Sequence, residues 1–309
     1  NVISGDRNQV TIFTNSGTQL VGSQAAQLSF DAVGTMTPQS KWNANPALRG
    51  VGTITLIPPA GTPVDLIQNR AIRSGTIAAY LQMRDQDLVQ AQTQLDALAA
   101  AMAQALSDKA VPSTAVNPVP QAGFDIDTAD LLAGNTITIN YTDVTTSTQH
   151  TITLVRVDDP SALPLPNTAT ATANDTVFGI DFSGGMASVI TQINTALTGT
   201  GMTASNPSGT TLEILDDGAA NTVNVDALSA VATETSLTAG SAEFPLFTDG
   251  AAAYTGAITG TGSQLTGLAA RIAVNPLVAA DPSNLIIYQS GTPAGDSTRP
   301  DFIYQQLTA

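Results

Sequence analysis

Between Ser74 and Asp108 apolar residues recur with a helical period. Leu81, Leu88, Leu95 and Met102 stand seven apart, and Ile77, Ala91, Leu98 and Ala105 form a second row beside them. Gln82, Asp85, Gln86, Asp87, Gln90, Gln92, Gln94 and Asp96 fall on the opposite side. The pattern predicts one helix of roughly 30 residues, about 45 Å long, with its leucine row turned toward a partner that covers it. Only about four heptads are present and flanking charge pairs are scarce, so the helix reads as the spine of a domain packed within its own chain, not as a self-associating coiled coil.

Downstream the period changes to two. NTITINYTDV (135–144) alternates Ile137, Ile139 and Tyr141 with Thr136, Thr138, Asn140 and Thr142, and HTITLVRV (150–157) repeats the alternation after the turn TTSTQ, which predicts a hairpin. A third strand is expected at TVFGIDF (176–182). The break at Gly184-Gly185 then gives way to a short amphipathic helix carrying Val189, Ile190, Ile193 and Leu197. A second hairpin is expected around Asn206-Pro207-Ser208-Gly209 and a last strand at NTVNVDAL (221–228), while NTATATAND (167–175) reads as a loop.

Upstream of the helix, NQVTIFTNSGTQLVG (8–22) predicts a hairpin turning at Asn15-Ser16-Gly17, and VGTITLIPPAGTPVDLI a second one with Pro58-Pro59-Ala60-Gly61 at its tip. Near the C-terminal end, GSQLTGLAARIAVNPLVAADPSNLII is expected to hold a short helix or strand ending near Asn275-Pro276, and RPDFIYQQLTA to begin another helix.

Charge divides the chain. From Ser113 to Gly250 there are 15 acidic residues and one base, Arg156, whereas the other residues hold 10 acids and 9 bases. Pro112, Pro118 and Pro120 in KAVPSTAVNPVPQAG predict an extended linker at the near boundary, and EFPLFTDGAAAYTG marks the far one. The expected fold is therefore α+β: a discontinuous, elongated host domain (1–113 plus 251–309) of long helix and β-hairpins. It is interrupted by an inserted acidic outer domain (114–250), mainly antiparallel β with one short helix.

A net charge of −15 argues against nucleic acid and anionic membranes as partners, and no apolar run reaches the roughly 20 residues of a membrane span. The absence of cysteine removes disulfides and thiolate metal sites. Few aromatics and few charges leave cores of Val, Ile, Leu and Ala beneath surfaces of Thr, Ser, Asn and Gln.

Candidate chemistry is sparse. His150, the only histidine, lies in a Thr-rich strand and reads as an exposed strand residue, not as part of a Ser-His-Asp triad. Asp158-Asp159 and Asp216-Asp217 lack the spacing of a calcium loop and read as turn carboxylates. TGAITGTGSQ (255–264) lacks the Gly-Lys-Ser/Thr ending of a phosphate loop and reads as a flexible crossing between domains. Trp42 is expected to be a buried anchor, and Arg84-Asp85 an ion pair. No catalytic, cofactor-binding or metal-binding residue is nominated, and no enzymatic activity is expected.

The run SGTIAAYLQMRDQDLVQAQTQLDALAAAMAQAL, with its Arg84-Asp85 and Leu95-Asp96 context, resembles the corresponding segment of the flagellar hook-associated protein 1 family, the hook–filament junction protein. NQVTIFTNSGTQLVG upstream and GLAARIAVNPLVAADPSNL downstream resemble that family's flanks, and the order of elements in 114–250 is similar to a flagellin hook insertion motif. The resemblance implies a secreted, extracellular structural subunit of the bacterial flagellum joining hook to filament. Its implied partners are other copies of itself in a ring, the hook protein, and a second junction protein or flagellin. The chain resembles a central fragment without the family's terminal helices, and is expected to be monomeric as such. Flagellin or filament-cap relatives, and a secreted adhesin or carbohydrate-binding surface protein, are the competing readings.

Overall fold

The computed structural model describes residues 2–4, 10–14, 16–59 and 62–308. Elements of both kinds are mixed along the chain, as an α+β fold requires. The chain forms two compact units, 1–95 and 96–309.

In the first unit, β1 (Val2–Ser4), β2 (Val10–Phe13) and β3 (Gln19–Val21) form one antiparallel sheet. β4 (Gln27–Phe30), β5 (Ile54–Ile57) and β6 (Val64–Asp65) form a second. Both predicted hairpins are present, although Asn15, Ala60 and Gly61 of their proposed turns lie outside the described residues. Leu56, Leu66 and Ala71 are buried together, with Leu20, Ala26, Ile54 and Ile72 against them. Trp42 is half-buried, not buried as expected. Its ring lies 5.0 Å from the Arg49 guanidinium, its indole N–H donates to Thr53 Oγ1 at 3.4 Å, and its backbone N–H donates to Asp85 Oδ1 at 3.0 Å. Arg84 holds the same carboxylate through two bonds of 2.8 Å, so the expected pair forms and also fixes the Trp42 backbone.

The long helix is helical from Gly75 to Ser107 but not uniform. α1 (Gly75–Gln82) passes through a π-helical turn at Met83–Asp87 into α2 (Leu88–Ser107). A π turn accommodates one extra residue, which rotates the preceding side chains by about 100° relative to those that follow. The uninterrupted heptad from Leu81 is broken accordingly: Tyr80, eight residues before Leu88, is exposed, and Leu81 is half-buried.

The second unit contains β7 (Asp108–Val111), β8 (Thr114–Val116), β9 (Gly123–Asp127), β10 (Thr136–Asp143), β11 (Thr148–Val157), β12 (Thr176–Asp181), α3 (Met186–Ala196), β13 (Thr203–Ser205), β14 (Thr211–Leu215) and β15 (Val223–Thr233). A five-stranded sheet has the order β12-β11-β10-β15-β7, with only β12 parallel to its neighbour, and a four-stranded antiparallel sheet has the order β13-β14-β9-β8. The strands, hairpins and helix expected from 135 to 228 are all present. Ile137, Ile139, Ile152 and Leu154 from the first sheet, Ile126, Leu212 and Ile214 from the second, and Val189 and Ile193 from α3 are buried in one core. The proline-rich 109–123 segment is not a free linker, because β7 and β8 pair as edge strands where proline at their ends removes no ladder bond.

The unit continues with β16 (Phe247–Asp249), β17 (Ala252–Ala253), β18 (Ile258–Thr259), β19 (Gly262–Ser263), β20 (Ile272–Val274), α4 (Pro276–Ala280) and α5 (Thr298–Thr308). The glycine series expected to be a flexible crossing forms the small hairpin β18–β19, tied by the Gly260 N–H to Asp159 Oδ2 at 2.9 Å. At Asn275-Pro276 a strand does end, and a helix begins. The Asn275 side chain caps Leu277 N–H at 2.9 Å and donates to the Pro245 carbonyl at 2.9 Å, with Pro276 in the first turn, where no donor is needed.

The inward face of α2 differs from the expected one. Asp96, placed on the polar side by the sequence pattern, is only 3% exposed, and its carboxylate accepts the Gly267 N–H at 2.8 Å and the Ala269 N–H at 2.9 Å. Ala99, Ala100 and Ala103 are buried on the same side against Tyr254 and Leu268. The alanines permit close approach, and the carboxylate satisfies backbone donors of the 267–270 turn that would otherwise be orphaned.

Two predictions follow from this packing. Asp96→Ala leaves two backbone donors without their acceptor and should lower unfolding stability by roughly 3 kcal/mol, read from urea denaturation, with Asp96→Asn losing less. Gly134 has φ of +94°, and a Cβ there would lie 2.3 Å from the backbone carbon of Gly256. Gly134→Ala should therefore cost at least about 2 kcal/mol in the same assay.

Candidate assembly surface

With Asp96 and the alanines inward, the leucine row of α2 faces outward. Leu95 is 53% and Leu98 59% exposed, and Leu88 and Met102 are exposed as well. Asp96 is the only ionisable residue between Leu88 and Ser107, so the outward surface of α2 carries no charge. A contiguous uncharged apolar row on a surface helix marks a place where another molecule docks. Within the first unit, Ile77 and Tyr80 of α1 and Leu28 and Phe30 of edge strand β4 are also exposed. An apolar hollow of about 490 Å³ beside the start of α1 is lined by Leu20, Leu28, Ile54, Leu66, Ile72 and Ile77.

Charge is distributed unevenly between the two units. Residues 1–95 hold six Lys/Arg and five Asp/Glu, whereas residues 96–309 hold four Lys/Arg and 20 Asp/Glu. Many of the described carboxylates organise local turns. Asp159 accepts Ser161 N–H at 3.0 Å and Gly260 N–H, and these bonds and the Ser161 hydroxyl hold its carboxyl below the usual range. Asp217, held low chiefly by the Thr222 hydroxyl, accepts that group and the Thr222 N–H. Asp216 accepts Ala122 N–H at 3.0 Å and Gly218 N–H at 2.9 Å, and Asp158 pairs with Arg156 at 3.0 Å. The two acid pairs thus serve different turns.

His150 is exposed at the end of the β10–β11 hairpin. It bonds Thr148 Oγ1 at 2.9 Å and stacks on Tyr141 with ring centroids 5.1 Å apart. Among the described residues, no group of three or more His, Asp or Glu is arranged to hold a metal ion. Among them, too, no helix is long and apolar enough to cross a membrane.

The sequence pattern missed the residues that shape the second unit from inside. Arg299 is 0% exposed and donates to the carbonyls of Leu237, Ser241, Ala242, Asn284 and Ile287 at 2.8–3.1 Å, with Phe244 and Tyr288 against its guanidinium at 4.5 and 5.8 Å. Burial lowers its proton affinity while Glu234 and Glu243 oppose that shift. Asn135 and Thr233 are buried as a bonded pair, with Asn135 Nδ2 donating to Thr233 Oγ1 at 2.8 Å. A signal for Asp96 was available in its helical phase with Ala99, Ala103 and Leu106. None was available for Arg299, whose acceptors are all backbone carbonyls.

Residues 1–129 match the family model described as the flagellar hook-associated protein FlgK helical domain. Neither a curated protein nor a solved structure matches the chain. The matched span contains α1, the π-helical turn and α2, the helix that bears the exposed row. Over residues 1–129 the chain is thus similar to the helical domain of flagellar hook-associated protein FlgK, whose family supplies structural components of the bacterial flagellum that serve filament assembly and motility.

Proposed function

We propose that this subunit acts at the junction of hook and filament, and that the outward face of α2 is its contact with neighbouring subunits. The observation carrying this reading is the exposed, uncharged leucine row on the helix of the matched domain. The neighbours are other copies of the chain in a ring, the hook protein, and a second junction protein or flagellin. A ring of identical subunits makes heterologous contacts, in which one face meets a different face of the next copy. The subunit works outside the cell by packing alone, without catalysis, cofactor, nucleic acid or membrane.

Within it, residues 114–250 are an inserted acidic outer domain in a host made of 1–113 and 251–309. Supporting that division, the end of α2 packs with Tyr254, Leu265 and Leu268 of the return segment. The acidic domain points away from the packed subunits, where its charge is solvated.

Leu95→Glu with Leu98→Glu should leave the purified protein folded, because each side chain is already exposed and surface substitutions typically change stability by less than about 0.5 kcal/mol. In motile bacteria whose own copy carries the two changes, filaments should be lost or shed and swimming should fail, whereas Thr145→Glu at the β10–β11 turn should leave both normal. Immunogold labelling of the unaltered protein should mark the hook–filament boundary. Normal filaments in the doubly substituted strain would exclude the helix face as the contact, and label elsewhere would exclude the junction.

A further inference from the structure

We infer that the end of the long helix is joined to the five-stranded sheet by an acid-tightened clasp centred on Asp108. The geometry is a closed set of bonds among three segments. Asp108, where α2 passes into β7, accepts the Thr233 hydroxyl at 2.9 Å and the Ser107 hydroxyl at 3.4 Å through Oδ1. Thr233, its register partner at the end of β15, also receives Asn135 Nδ2 at 2.8 Å and donates its N–H to Asn135 Oδ1 at 3.1 Å. Asn135 in turn accepts the Leu132 N–H at 2.8 Å. Beside this set, Glu234 N–H donates to the Ser107 carbonyl and Phe244 N–H to the Leu106 carbonyl, both at 2.7 Å. Ser107, Asn135 and Thr233 are buried and Asp108 is half-buried.

Among the described residues, no cation compensates a charge on Asp108 in this clasp. Lys109, the neighbouring base, is exposed. It lines a hollow of about 610 Å³ together with Asp127, Asp130, Thr233 and Glu234. On the other side is the buried Tyr254, whose phenol is pushed up to about 12 by burial and by Asp108, Asp249 and Asp96. An ionised Asp108 therefore has neutral donors and acidic neighbours.

Burial pushes its carboxyl up to about 6 from 3.8, against the opposing bonds from Thr233, Ser107 and Gln104. The sign follows from linkage: between these values the open or unfolded chain has released a proton that the closed clasp retains. Closure is thus favoured at low pH and weakens as pH rises through about 6, by about 10-fold between pH 5 and 7.5.

Amide hydrogen exchange on the full chain reads the clasp directly at Glu234 and Phe244. After correction for intrinsic rates, protection at both should be about 10-fold greater at pH 5 than at pH 7.5, and Asp108→Asn should remove that dependence. The Asp108 carboxyl carbon, followed by NMR, should titrate near pH 6. In Thr233→Val, which deletes a donor favouring the ionised form, it should titrate higher. A midpoint near 4 in the unaltered protein, the same pH dependence in Asp108→Asn, or a downward shift in Thr233→Val would each overturn the clasp.

Discussion

A carboxylate in the middle of the longest helix decides which way that helix faces. Moving an ion out of water costs several kcal/mol unless hydrogen bonds replace its hydration. Asp96 finds two replacements in the backbone N–H groups of Gly267 and Ala269, more than 170 positions away in the sequence. The exchange is reciprocal, since those N–H groups open a helical turn and have no carbonyl of their own to meet. With Asp96 turned inward, the 3.6-residue period brings Ala99, Ala103 and Leu106 in with it, and Leu95 and Leu98, one and two positions from Asp96, are carried outward. The apolar surface that a hydrophobic ranking assigns to the interior becomes the exterior.

Most of the second unit was legible because its strands alternate. Once Ile137 and Ile139 are assigned inward, Thr136 and Thr138 must face the other way, and a register slip of one residue would bury the threonines instead. The helix was less legible for a reason of the same kind. A helix rich in leucine and alanine presents two stripes, and choosing between them requires knowing what each will meet. Larger residues form the more hydrophobic stripe. The smaller residues form the one that another backbone can approach, and only the chain near residue 267 shows which mattered. The π-helical turn adds one residue of phase, so a heptad counted from Leu81 fails before Leu88 even where the helix itself was correctly expected.

The candidate surface inherits this difficulty. Leu95 and Leu98 were identified from the sequence, but as core residues, and their exposure is a consequence of Asp96's burial. Electrostatics gives that exposure a further meaning. Residues 96–309 carry 20 acids against four bases, so two copies approaching through most of that surface meet like charge, screened only over about 8 Å at physiological ionic strength. The outward side of α2 has no ionisable group and is exempt from that repulsion.

Asp96, Arg299 and Asn275 share a mode of holding the second unit together. Each is a buried polar side chain whose partners include backbone groups distant in sequence: two N–H groups for Asp96, five carbonyls for Arg299, and the Pro245 carbonyl for Asn275. In a chain with no cysteine and few aromatic residues, alanine-rich contacts fill space but discriminate weakly between neighbouring registers, because one methyl group resembles the next. Hydrogen bonds to particular backbone atoms do discriminate. Shifting Arg299 by one residue would leave its donors without the five carbonyls and would take the cation away from the faces of Phe244 and Tyr288. The short strands and turns between residues 237 and 299 are thus held in register by directional bonds, and the small-residue packing needs only to accommodate the arrangement those bonds select.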